Sequence, residues 1–94
     1  MKPNGHVNIT VRGKDMFGAA FTENARLIGC ADSELSFSMW RPVSENAEVE
    51  VRFYDDERYW MRGVIMKVRT CLDGTQTVDL KMHVATEVGP SPLN

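Results

Sequence analysis

The side chains here that could attack a carbon, move a proton or hold a metal are few and scattered. Cys30 and Cys71 share no Cys-x-x-Cys spacing, His6 and His83 stand alone, and Ser33 and Ser36 have no base near them in sequence. Nucleophilic catalysis needs a nucleophile and a base held together, and metal sites draw ligands from recurring spacings. Neither pattern is present. The histidines therefore read as solvated, and the cysteines as two reduced thiols. Asp55-Asp56-Glu57 matches a calcium loop only in its charge, without alternating oxygen ligands and a fixed glycine. Gly13-Lys14-Asp15-Met16-Phe17-Gly18 has glycine at both ends, but no Gly-Lys-Ser/Thr ending or following helix aims amides at a phosphate. The expectation is no enzyme, no metal site and no cofactor, which leaves binding.

The residues best suited to binding a partner are Phe17, Trp40 and Arg41. Trp and Arg are enriched where interfaces concentrate their affinity, and Phe17 sits beside Met16 at the tip of a glycine-bounded turn. Isolated exposed apolar residues are normal on any surface, so the expectation is that Phe17 and Met16 fold back over the core and Trp40 caps it. A net charge of −2 with a pI near 5.6 argues against phosphate-backbone binding, which rests on clustered Lys and Arg. No nucleic acid partner is expected. No apolar run reaches the roughly 18 residues of a membrane helix, and Met1 to His6 lacks the apolar centre of a secretory signal. A cytoplasmic protein with no membrane partner is expected.

The elements that would position these residues are strands. With 94 residues, 43% hydrophobic and 26% charged, the chain is sized for one globular domain. Its apolar residues recur with period two, and no window of helix length sustains a 3.6 period. Val7, Ile9 and Val11 give a first strand, and Gly13 to Gly18 a turn. Ala19 to Ile28 gives a second strand, in which Glu23 breaks the apolar face and is expected near an end or rim. Leu35 to Trp40 is a third strand closed by Pro42, and Asn46 suits a left-handed position in the following loop. Val49, Val51 and Phe53 mark a fourth.

Asp55 to Arg58 reads as a hairpin loop that sets Tyr54 opposite Tyr59 and Phe53 opposite Trp60. The fifth strand, Tyr59 to Thr70, is apolar in both phases. Trp60, Val64, Met66 and Val68 lie on one phase and Met61 and Ile65 on the other; strict alternation would also put Arg62 on the core face, so a bulge or bend is expected at Gly63. Asp73-Gly74 turns into a last strand with Val78, Leu80, Met82 and Val84 inward. The fold class is thus all-β: a six-stranded antiparallel barrel over residues 7–88, between a flexible N-terminus, 1–6, and a flexible tail, 89–94. Closure removes the unpaired edges that invite aggregation.

From Val11 to about Val84 the chain resembles the PilZ domain, a bacterial family of six-stranded barrels known as cyclic-di-GMP signalling receptors. The likeness lies in Val11-Arg12-Gly13-Lys14-Asp15, Gly18, Phe21-Thr22-Glu23, Leu35-Ser36-Phe37, Pro42-Val43, Val49-Glu50-Val51 and Arg62-Gly63-Val64-Ile65. The resemblance implies a ligand site built from an upstream RxxxR and a (D/N)xSxxG turn before the third strand. Two guanidinium groups pair with phosphate and stack on guanine, while the small turn lets backbone and short polar groups approach. Aligned on Leu35-Ser36-Phe37, Gly29 stands at the Asp/Asn position, Ala31 at the Ser position and Glu34 at the Gly position. All three depart from the motif, and Met1 to His6 holds Lys2 but no arginine. The resemblance therefore implies a divergent PilZ-like module that is regulatory or binds a protein partner or neighbouring domain. Its cyclic-di-GMP binding is expected to be weak or absent. The alternative is a working receptor that uses Arg12 and Arg26 as substitute cations, or an RxxxR upstream of this chain. Exposed aromatic loops leave a homodimer open.

Overall fold

A computed structural model describes residues 7–53 and 60–83. The alternating sequence forms six strands: β1 Val7–Lys14, β2 Ala20–Ala31, β3 Glu34–Met39, β4 Glu48–Phe53, β5 Met61–Thr70 and β6 Gln76–Met82. All pair antiparallel and close into a barrel in the order β1-β2-β3-β6-β5-β4. Two three-stranded meanders, β1-β2-β3 and β4-β5-β6, meet along the β1–β4 and β3–β6 ladders. The described residues contain no helix that could cross a membrane.

Period-two alternation places one side chain in two inside the barrel. Ile9 and Val11 of β1, Phe21 and Ala25 of β2, Leu35, Phe37 and Met39 of β3, and Val49 and Val51 of β4 are buried, joined by Val78 and Leu80 of β6. Removing such a side chain from water stabilises the fold by roughly 1.5–3 kcal/mol. Val43, in the β3–β4 connection, plugs the core from one end. Asn46 takes the left-handed conformation its type favours, at φ 73°.

β5 buries the phase of Ile65 up to its irregularity, and beyond it Val68 packs against the core as expected. Gly63 and Ile65 face inward, whereas Val64 is only half-buried and Met66 is 56% exposed. The irregularity lies between Ile65 and Lys67, not at Gly63. Gly63 has a different reason to be glycine: a Cβ there would lie 2.8 Å from Leu80 Cγ and 2.9 Å from the Lys81 carbonyl. A second bulge lies between Leu27 and Gly29, leaving Ile28 exposed. Gly29 pairs with Ser36, Ser36 with Asp79 and Asp79 with Lys67, so both bulges lie at one level, on either side of the β3–β6 pair.

The β4–β5 register pairs Val51 with Met61. Trp60 therefore lies level with Arg52 on the outer face, one place away from the expected match with Phe53. The expected Tyr54–Tyr59 pair, its loop and Val84 lie outside the described residues.

Candidate functional site

The segment expected to form an open ligand turn is a paired hairpin. β2 runs on through Gly29, Cys30 and Ala31, which pair with Ser36, Leu35 and Glu34. Only Asp32 and Ser33 turn the chain, with Asp32 in the left-handed region at φ 51°, a conformation Asp tolerates. The Ser33 carbonyl accepts the Met82 amide at 2.6 Å. Gly29, Ala31 and Glu34 thus belong to ladder strands rather than to a small loop. Gly29 faces open space, with nothing within 4 Å of where a Cβ would stand. Glu34 is exposed and pairs with Lys81 on β6.

Arg12 and Arg26 do not converge. Arg12 pairs with Thr22 and Arg26 with Asn8, so they are separated by four positions along β2, roughly 13 Å at strand rise. Arg12 is also committed elsewhere: its Nε donates to Glu50 Oε1 at 2.7 Å, and its guanidinium lies 3.7 Å from the centroid of the Trp60 ring. Arg52 approaches the same ring at 4.6 Å. Beside this stack runs an open groove of about 580 Å³, where Arg12, Lys14 and Arg62 are interleaved with Glu48 and Glu50. Interleaved carboxylates leave little attraction for a doubly charged anion.

Arg26 lies instead in a second groove of about 330 Å³, with Trp40, Asn24 and Asp73. Asp73 Oδ1 accepts the Thr75 hydroxyl at 2.6 Å and the Thr75 amide at 2.9 Å. These bonds, the hydroxyl first, hold its carboxyl below the usual carboxylate range, with a smaller attraction from Arg26.

The antiparallel order gathers the β1–β2, β3–β4 and β5–β6 connections at one end of the barrel. Asp15 organises it. Its Oδ1 accepts the Phe17 and Ala19 amides, both at 2.9 Å, while Oδ2 accepts Arg41 Nη1 at 3.1 Å. Its side chain is 3% exposed. The Ala19 bond leads these interactions in holding the carboxyl below its ordinary value, outweighing the burial that would raise it. The Met16 amide donates to the Pro42 carbonyl, and Glu23 accepts the Trp40 and Arg41 amides at 2.6 and 2.9 Å.

On this braced base the apolar side chains face outward. Phe17 is 78% exposed, Trp40 64% and Met16 50%, and Leu72 is fully exposed. The expected fold-back of Phe17 and Met16 and the capping role for Trp40 are therefore corrected: Phe21, Met39 and Val43 already fill the core at this end. Arg41 is not a free contact either, being tied to Asp15 and lying 5.8 Å over the Phe21 ring.

Among the described residues, no group of three or more His, Cys, Asp or Glu is placed to hold a metal ion. Cys30 and Cys71 are free and exposed. His83 is exposed, 3.7 Å from Glu48, and His6 lies outside the described residues. Sequence reasoning missed the brace at Asp15, although Asp three residues before Gly18 is a turn signal. It also missed the Arg12–Trp60 stack, which has no local signal. Comparisons with protein-family models, curated proteins and solved structures find no match for the chain.

Proposed function

We propose that the chain is a PilZ-like regulatory module that works by docking a protein partner or a neighbouring domain, with weak or absent cyclic-di-GMP binding. The observation that carries this reading is the loop end, where Phe17 and Trp40 stand exposed on two connections braced through Asp15 and Glu23, with Leu72 exposed on the third. Apolar side chains held outward on a rigid base lose little conformational freedom when a partner covers them. Aromatic anchors of this kind carry much of the affinity in protein interfaces.

The altered turn supports the second half of the reading. Its amides serve the β2–β3 ladder, and the two substitute cations lie apart, one of them already stacked and ion-paired. A receptor using Arg12 and Arg26 together has no geometric support.

Isothermal titration with cyclic di-GMP tests the ligand half. No heat of binding at micromolar protein is expected, and saturable binding there would overturn it. A photo-crosslinking side chain in place of Phe17 tests the docking half. It should trap a partner that the same group in place of Lys81, beyond the loop end, does not.

A further inference from the structure

The groove around Trp40 has a chemistry distinct from a docking patch. We infer that it is a binding site for a neutral saccharide, stacked on the Trp40 indole and hydrogen-bonded to the outer face of β1, β2 and β3. This goes beyond the docking reading and does not depend on it.

The ladder supplies the floor. Asn8 pairs with Arg26 and Arg26 with Ser38, which sets an amide, a guanidinium and a hydroxyl in one outward row. Asn24 stands one outward level along β2, roughly 7 Å away. The Thr10 hydroxyl engages its Oδ1 at 3.3 Å, leaving the Nδ2 donors for another partner. The turn between β5 and β6 supplies the far wall. Thr75 takes Asp73 Oδ1, and among the described residues no hydrogen bond reaches Oδ2, which can accept from a ligand.

Trp40 supplies the remaining wall. Glu23 holds its amide at 2.6 Å, and a Cβ built on Gly74 would lie 3.5 Å from Cζ3. The indole thus lies beside the β5–β6 turn, where Gly74 is at φ 94°, a conformation strained for other residues. Most of the ring remains open to solvent.

These features narrow the ligand. The single cation and single carboxylate cancel, so neither an anion nor a cation is favoured. An apolar molecule would strip water from the amides, hydroxyls and carboxylate without replacing their hydrogen bonds. A pyranose offers adjacent hydroxyls that both donate and accept, matching Asp73 as acceptor and Arg26 and Asn24 as donors. Its flat C–H face suits the indole, which joins an apolar body to a polar rim. A groove of about 330 Å³ lies at the small end of ligand pockets and fits one or two sugar rings.

The test is a two-dimensional NMR titration of the chain with cellobiose, maltose and N,N′-diacetylchitobiose, with guanosine as the comparison. Saturable shifts of the Trp40 indole and the Asn8 and Asn24 side-chain amides are expected with at least one sugar, with Kd on the order of 1 mM. Asn24→Ala should weaken that affinity about tenfold, while Phe17→Ser should leave it unchanged. Asn24 is exposed and outside the docking cluster, so a folded variant is expected, and its dispersed spectrum verifies that. No saturable shift with any sugar, equal affinity in Asn24→Ala, or tighter binding of guanosine at the same peaks would each overturn the proposal. The two readings share Trp40 but are tested apart, the docking reading by the crosslink at position 17.

Discussion

Arg41 donates from Nη1 to Asp15 Oδ2 across 3.1 Å, joining the turn after β1 to the chain leaving β3. The same carboxylate caps the Phe17 and Ala19 amides, so one buried side chain sets the relative position of two connections. Asp15→Ala removes the acceptor for three donors, whereas Arg41→Met removes one donor. The expected order of melting temperatures is wild type, then Arg41→Met, then Asp15→Ala, read by circular dichroism. Equal melting points for the two variants would reject the brace.

Asp15 and Asp73 both carry lowered pKa values in the folded chain. An unfolded aspartate titrates near about 3.9, so below that pH the unfolded state binds more protons than the folded one. Stability from both groups is therefore full above about pH 4 and falls as pH drops through their lower folded values. Urea midpoints measured across this acid range should decline in the wild type. Asp15→Asn should flatten that decline and leave the neutral-to-alkaline plateau flat, though lower.

Gly63→Ala drives a methyl into Leu80 and the Lys81 carbonyl. Leu80 is fully buried and the carbonyl is backbone, so neither yields easily. Overpacking of this kind costs about 1–3 kcal/mol, which urea denaturation would detect. Gly29→Ala, facing open space on the other meander, should change stability by less than about 0.5 kcal/mol.

Phe17→Ser and Trp40→Ser should each stay within about 0.5 kcal/mol of wild type, because neither side chain fills the core. Phe37→Ala, at 0% exposure, should cost about 3–5 kcal/mol. Comparable losses in all three would mean that the loop-end aromatics pack inward after all.

Trp60 receives Arg12 at 3.7 Å and Arg52 at 4.6 Å. At a partly exposed site, each contact contributes about 0.5–1 kcal/mol. A double-mutant cycle of Arg12→Met with Trp60→Leu should return a coupling of that size. Zero coupling would show that the stack carries no energy.

Period-two alternation made most of the barrel readable. The inward faces of β1, β2, β3, β4 and β6 follow directly from which phase is apolar, and Glu23 at a rim follows from its interruption of one such face. β5 resisted because both of its phases are apolar. What decides its phase is the fit of Gly63 against Leu80, a match of small to large across two strands that no linear pattern carries. The Asp32-Ser33 turn was hidden for a related reason: it lacks glycine, so an aligned motif suggested a wider loop than the ladder allows. Exposure of Phe17 and Trp40 depends on whether the core is already full, which is a property of the closed barrel. The stack of Arg12 on Trp60 reaches across β4, from β1 to the start of β5, a proximity that exists only once the β1–β4 ladder closes.

The arrangement of two meanders also dictates how the chain must fold. Each meander is built from neighbouring strands, whose hairpins form in roughly microseconds. The seams are different: Arg12 and Glu50, across β1 and β4, are 38 residues apart, and Ser36 and Asp79, across β3 and β6, are 43 apart. Loop-closure entropy is lost before those contacts form, which places the rate-limiting step at seam zippering. Substitutions along the seams, such as Val11→Ala or Val78→Ala, should slow folding. Substitutions at the hairpin turns, which form before that step, should likewise slow folding and leave the unfolding rate nearly unchanged.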